Sequence, residues 1–298
     1  MWLSLQVQLP VSTLLLIWSL KLLLPASGFG LAVSKELVSR GVLVIMVDIN
    51  EEECRKAASE LNEKTGKIVA ISAKVDTRCF EDQLTACELG KKAFGRIDYF
   101  FANAGINEDP WLPNFDPSTS SSRPITKPNT KTLEINLVGQ LNTAALAFQV
   151  FERQEPNPRN GFRGKLVMTA SVLGYWPSRN LPLYAASKAG IVNFVRSMAE
   201  FYENKGITVN LVAPSITATA SVPPGFLDLF SDDNICPVEL VVEQMISVLG
   251  SSKDNGRAIS IVGREVWDHP QETCMAEKNK FIMGTIDDEV DRRLALAK

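Results

Sequence analysis

The feature that most constrains this chain is an alternation. From about residue 17 onward, short runs rich in Val, Ile and Leu are followed by longer amphipathic stretches. A strand flanked by parallel neighbours is buried on both faces and needs apolar side chains at nearly every position. Each parallel neighbour must also be reached by a crossover, usually a helix. The two patterns in alternation therefore predict repeated βαβ units around one parallel sheet. Strands are expected at Ile17 to Leu22, Val42 to Val47, Lys67 to Ser72, Ile97 to Ala102, Lys165 to Ala170, Thr208 to Val212 and Ala258 to Val262. Helices are expected at Leu31 to Ser39, Glu51 to Lys64, Glu81 to Phe94, Thr130 to Arg153, Tyr184 to Asn204 and Val238 to Leu249. This is an α/β fold, a doubly wound parallel seven-stranded sheet in a single domain over residues 17–265. A leader (1–16) and a C-terminal extension (266–298) flank it. Asn107 to Asn129 carries five prolines and the hydroxyl cluster Ser118 to Ser122, so it reads as a loop, as does Gln154 to Gly164.

Composition narrows the partners. The net charge is −3 over 298 residues with no long basic run, which argues against nucleic acid. The five cysteines are scattered, with no Cys-x-x-Cys pair for zinc or redox work, and read as reduced thiols. No metal site is expected. The single histidine, His269, lies in a polar C-terminal stretch and reads as a surface loop residue. Leu14 to Leu24 is apolar except for Ser19 and Lys21, shorter than the roughly 20 residues of a spanning helix. It reads as a first buried strand, with a membrane anchor or a cleaved signal as alternatives. The expected location is cytoplasmic, with membrane attachment through residues 1–24 as the other possibility.

Between the first strand and first helix lies Pro25-Ala26-Ser27-Gly28-Phe29-Gly30, a turn of small residues. Glycines there let backbone approach a pyrophosphate, and the following helix N-terminus presents unpaired N–H groups. Ser27, Gly28, Phe29 and Gly30 are thus candidate cofactor residues. Asp48, at the end of the next strand, is placed to accept hydrogen bonds from ribose hydroxyls and to repel a 2′-phosphate, favouring NAD over NADP. It could instead cap the helix from Glu51. Asp76 could face the adenine or cap the helix that follows it. Asn103, in Ala102-Asn103-Ala104-Gly105, ends the fourth strand where a cofactor would cross the sheet edge.

Tyr184 and Lys188 stand four residues apart at a helix start, one turn from each other. A nearby ammonium stabilises phenolate and pulls its pKa, ordinarily near ~10, towards working pH. Such a tyrosine can exchange a proton with an alcohol or carbonyl. Ser171 ends the fifth strand at the same sheet edge and could hydrogen-bond the substrate oxygen. Asn136 is polar in an otherwise apolar helix, a costly placement unless its amide is satisfied.

The Gly28-x-Gly30 turn, Asp48, Asn103-Ala104-Gly105, Asn136, Ser171 and Tyr184-x-x-x-Lys188 resemble, in order and spacing, the short-chain dehydrogenase/reductase family over roughly residues 17 to 262. Within that family the chain is most similar to the 15-hydroxyprostaglandin-dehydrogenase-like group and to fungal alcohol dehydrogenases of secondary metabolism. The resemblance implies a Rossmann-type fold and hydride transfer with NAD, or NADP, between a secondary alcohol and a ketone. It implies Tyr184 as acid/base, Lys188 on the nicotinamide ribose, Ser171 on the substrate and Asn136 in a proton relay. Ile216 and Thr219 would meet the nicotinamide amide and phosphate, and a dimer or tetramer is implied. Thr217 to Asn234, with Phe226 and Phe230, reads as an apolar lid over a bulky small-molecule substrate. The turn departs from the family pattern at Leu23 and Leu24, where the pattern has Thr-Gly, and Pro214-Ser215 replaces its Pro-Gly. The first departure sets the alternative: a binding or regulatory protein that kept the fold with impaired cofactor affinity.

Overall fold

The computed structural model describes residues 14–18, 28–113, 118, 122–219, 222, 225–271 and 277–296. Eight strands form one sheet: β1 (Leu14–Trp18), β2 (Leu43–Asp48), β3 (Ala70–Lys74), β4 (Tyr99–Ala102), β5 (Gly164–Thr169), β6 (Ile207–Pro214), β7 (Ala258–Val262) and β8 (Glu265–Asp268). Their order is β3-β2-β1-β4-β5-β6-β7-β8. The first seven are parallel, as expected, and β8 returns antiparallel to β7 with Ile259 opposite Asp268 and Val262 opposite Glu265. The chain winds outward from β1 in both directions, so the switch point lies between β1 and β4, where such sheets open a crevice at the strands' carboxyl ends.

The connecting helices are α1 (Phe29–Ser39), α2 (Glu51–Thr65), α3 (Phe80–Phe94), α4 (Lys131–Leu133), α5 (Gln140–Glu152), α6 (Pro182–Phe201), α7 (Val238–Ser247) and α8 (Glu277–Leu296). They leave one apolar cluster on each face of the sheet. Phe100, Phe151, Leu166, Ile191 and Val209 lie in one, and Leu37, Val44, Tyr99, Val212 and Met245 in the other. Successive strand residues point to opposite faces, which is why Tyr99 and Phe100 belong to different cores. Phe100 meets Phe151 edge to face with ring centroids 5.5 Å apart.

Four expectations need correction. The first strand, placed at Ile17 to Leu22, is found at Leu14–Trp18. Leu14 to Trp18 is the uninterrupted apolar run that a central strand requires, whereas Ser19 and Lys21 break it; residues 19–22 lie outside the described residues. The helix expected from Thr130 to Arg153 is not continuous, because a π-helical segment, Glu134–Gly139, separates α4 from α5. His269 does lie in a loop, as expected, but half-buried rather than at the surface. Its ring stacks on Tyr175 at 3.7 Å and accepts a 3.1 Å hydrogen bond from Trp267 Nε1, and burial, then the charge of Arg196, lowers its pKa. Finally, β8 and α8 occupy parts of residues 265–298 for which no element was expected.

No helix among the described residues is long and apolar enough to cross a membrane. The described cysteines Cys54, Cys79, Cys87 and Cys236 are free thiols.

Candidate active site

The carboxyl ends of the parallel strands gather most of the residues singled out from the sequence. Asp48 closes β2, Asn103 follows β4, Ser171 follows β5, and Ile216 and Thr219 follow β6. Tyr184 and Lys188 lie in the first two turns of α6 at this edge.

Gly28 is the N-cap of α1 with φ 150 and ψ 170, a backbone region essentially reserved for glycine. A Cβ there would meet nothing within 4 Å among the described residues. Among the described residues no side chain caps α1, and no acidic residue occupies its first turn. The first-turn N–H groups, including those of Phe29 and Gly30, thus keep their capacity to bind an anion. Ser27 and the Leu23-Leu24 departure lie outside the described residues.

Asp48 is half-buried, and its Oδ1 accepts from Asn50 N at 2.9 Å. It does not cap α2; Asn50 does, accepting from Glu53 N at 3.3 Å. Asp76 caps no helix either. Its carboxylate takes a salt bridge from Arg78 at 2.6 Å, and that guanidinium holds it below the usual carboxylate range. Asp76 therefore reaches this sheet edge already engaged by its own loop.

Lys188 is 3% exposed, and its Nζ donates to the Thr169 carbonyl at 2.8 Å. Burial drives its pKa down to about 7. Tyr184 moves the other way. Burial pushes the phenol's pKa up, and the Ser171 hydroxyl beside it pulls it part of the way back. The expected lowering of the phenol by the ammonium is not what this arrangement produces, because Lys188 Nζ stands 5.6 Å from the Tyr184 ring centroid and burial outweighs it. Ser171, itself 6% exposed, donates to Pro214 O at 3.4 Å and accepts from Leu173 N at 3.3 Å.

Asn136 is fully buried inside the π-helical segment. Its Oδ1 accepts from Ile106 N at 2.7 Å and its Nδ2 donates to Ile106 O at 2.9 Å, which satisfies the amide. The π-helical segment ends on Gly139, which packs closely on Thr77: a Cβ at 139 would lie 2.7 Å from Thr77 Oγ1. The Gly139 carbonyl accepts from Thr143 Oγ1 at 3.1 Å and from Gln83 Nε2 at 3.3 Å. Single π turns of this kind recur at functional sites. Asn136 Oδ1 and Lys188 Nζ face the same point, since a methyl on Gly105 would lie 3.5 Å from each.

Sequence reasoning missed two contributors. Gln140 donates to both Ala104 O and Thr169 O at 3.1 Å. It sits four residues after Asn136, so the argument about a polar residue on an apolar helical face also applies to it. Glu108, in the proline-rich loop, accepts from Tyr184 N at 2.7 Å. An acidic residue in a polar loop leaves no pattern by which to find it. Asn103 accepts from Thr169 Oγ1 at 2.8 Å, Ile216 O accepts from Cys236 N at 2.7 Å, and Thr219 N donates to Thr217 O at 2.7 Å. Thr217 also bridges to Cys236 and so pins the two ends of the expected lid together. Within that lid the Phe226 and Phe230 rings lie 5.4 Å apart.

The short chain dehydrogenase family model matches residues 25–225. The chain belongs to the short-chain dehydrogenase family. A relative from Penicillium rubens, the short-chain dehydrogenase/reductase prx7, is 30% identical over 237 residues, covering 78% of this chain and 80% of its own length. The prx4 protein of the same fungus is 31% identical over 201 residues, 66% of this chain, which spans only 54% of prx4. The 3-hydroxyacyl-CoA dehydrogenase type-2 of Drosophila melanogaster is 29% identical over 194 residues, covering 65% of this chain and 72% of that one. Among solved structures, levodione reductase superposes with a TM-score of 0.69 at 23% identity, covering 85% of this chain and 96% of its own, which establishes the shared fold. The chain is an oxidoreductase of this family, and family and fold together imply a nicotinamide cofactor.

Proposed function

We propose that this family member is an NAD-dependent alcohol dehydrogenase or ketoreductase, interconverting a secondary alcohol and a ketone on a bulky apolar substrate. The observation that carries the reading is the meeting of Ser171, Tyr184 and a buried Lys188 at the carboxyl edge of the sheet. The bare cradle at Gly28 and the uncapped start of α1 fit a dinucleotide's pyrophosphate. Half-buried Asp48 fits a ribose diol and disfavours a 2′-phosphate, while Asp76 offers the adenine amino group the lone pairs Arg78 leaves. Asn103, Ile216 and Thr219 line the path to the nicotinamide.

A bound nicotinamide supplies a hydride acceptor or donor at C4. The chain's own residues then handle the proton. In the oxidising direction the Tyr184 phenolate takes the hydroxyl proton of the alcohol, and the Ser171 hydroxyl holds the same oxygen in line. Burial opposes phenolate formation, and the Ser171 hydroxyl beside the phenol offsets part of that cost. With its pKa near 7, Lys188 changes charge close to neutral pH and passes the proton towards the face it shares with Asn136. Since the phenol's pKa is raised, alcohol oxidation should accelerate as pH rises above neutral. Phe226 and Phe230 favour an apolar ligand, and the resemblance to fungal alcohol dehydrogenases of secondary metabolism points to a substrate of that kind.

The deciding experiment is titration of the purified chain with NADH and NADPH, followed by a panel of secondary alcohols and ketones. Tyr184→Phe should lose at least ~1000-fold in kcat, consistent with removal of an acid/base group, while its NADH affinity stays within twofold of wild type. Retained turnover would remove Tyr184 from the mechanism. Absence of any cofactor binding would favour the alternative set by Leu23 and Leu24, a fold kept for binding or regulation.

A further inference from the structure

The segment leaving β4 has no secondary structure, yet side chains fasten nearly every second residue of it. Asn103 is held by Thr169, Ala104 by Gln140, Ile106 by both ends of the Asn136 amide, and Glu108 by Tyr184. The last contact differs in kind. It joins residues 76 apart, it is charge-assisted at 2.7 Å, and its donor is the backbone N–H of the tyrosine itself.

Among the described residues helix α6 has no other side-chain cap. It opens with Pro182, its N-cap Leu181 offers no side-chain acceptor, and no acidic residue lies in its first turn. A helix start leaves N–H groups without intrahelical partners, and a frayed first turn moves the side chains it carries. Here that turn carries Tyr184, with Lys188 one turn further on.

We propose that Glu108 is a positioning residue for Tyr184. Its carboxylate caps α6 from the β4 loop and so fixes the phenol relative to the backbone that Asn136 and Gln140 hold. The inference rests on Tyr184 being the acid/base group proposed above. Misplacement of a reacting group by about 1 Å can cost roughly 100-fold in rate, so a lost cap should appear in kcat.

The test compares Glu108→Ala with Glu108→Gln in the full chain. Gln keeps an acceptor oxygen at the same reach without the charge. Ala should lower kcat roughly 10- to 100-fold with KM for the cofactor within twofold, a range set by partial misplacement of the phenol. Gln should restore kcat to within a few-fold of wild type. An Ala variant that keeps kcat within threefold of wild type, or a Gln variant as impaired as Ala, overturns the proposal. A second readout needs no substrate. Hydrogen exchange at the Tyr184 amide should speed up by tenfold or more in the Ala variant, and unchanged protection there refutes the cap even if Tyr184 proves not to be the acid/base group. Conversely, a wild-type chain with no alcohol or ketone turnover defeats the functional reading while leaving the exchange experiment intact.

Discussion

Lys188 puts a price on function that stability measurements can read. Its pKa falls from 10.5 to about 7 because the ammonium is buried. The unfolded chain therefore binds a proton that the folded chain gives up as pH rises through about 7. The penalty is full below that pH and is relieved as pH climbs towards the unfolded value. The fall to about 7 corresponds to a penalty on the order of 4 kcal/mol at pH 7, of which roughly a third is relieved by pH 8.5. Lys188→Met replaces the ammonium with an unbranched apolar chain of similar reach. The Thr169 carbonyl is not orphaned by the change, because Gln140 Nε2 still donates to it at 3.1 Å. The apo variant should therefore unfold at a higher temperature than wild type at pH 7, by roughly 5–10 °C for a gain on the order of 2–4 kcal/mol, while losing turnover. Its advantage should shrink by pH 8.5. Chemical denaturation at both pH values measures this directly. Comparison with wild type cancels the other titrating groups, including Lys165, which burial also lowers to about 7. A variant less stable than wild type at pH 7, or an advantage that does not change between the two pH values, would refute the reasoning.

Two further substitutions probe the cofactor side and the loop. Asp48→Ala should weaken NAD binding about tenfold while leaving NADP unchanged or tighter, the loss expected for one charge-assisted hydrogen bond; fluorescence titration with both reduced cofactors checks this, and an unchanged preference removes Asp48 from the ribose site. Asn136→Ala strips both hydrogen bonds from the buried Ile106 backbone, so unfolding free energy should fall by about 2–4 kcal/mol, the cost of two buried groups left unpaired. A loss below about 0.5 kcal/mol in chemical denaturation would mean that water replaces the amide, since a bridging water can match a direct bond in enthalpy.

The strands were legible where tertiary burial leaves the plainest mark. Leu43 to Val47 and Leu211 to Pro214 run apolar because neighbours cover both faces, and their sequences show it directly. The first strand slipped because Leu14 to Leu24 holds no Gly or Pro to mark its end, and only the interruptions at Ser19 and Lys21 register it. β8 stayed hidden for the opposite reason. Glu265 and Asp268 sit at the ends of a four-residue edge strand that solvent covers, and charge there blunts the edge while erasing the strand signal. The π segment spans six residues, too few for a changed helical period to emerge.

For the site, the chemistry-bearing residues were readable and their electrostatics were not. That Tyr184 and Lys188 share a helical face follows from spacing alone. The direction in which the phenol shifts depends on how much protein surrounds it, and the fold makes burial outweigh an ammonium 5.6 Å from the ring centroid. The same holds for the loop from Asn103 to Glu108. Its own backbone makes no ladder, so Asn136, Gln140, Thr169 and Tyr184 fasten it from four different elements. A polar side chain on a buried helical face is visible in sequence as a cost, but the backbone group that repays it lies 30 residues from Asn136 and 36 from Gln140. Reading such residues in pairs, one helical turn apart, is the step that would carry sequence reasoning from Asn136 to Gln140 and so to the loop they hold. Glu108 lies beyond even that step, because its partner is a main-chain N–H and any residue but proline at 184 would supply one.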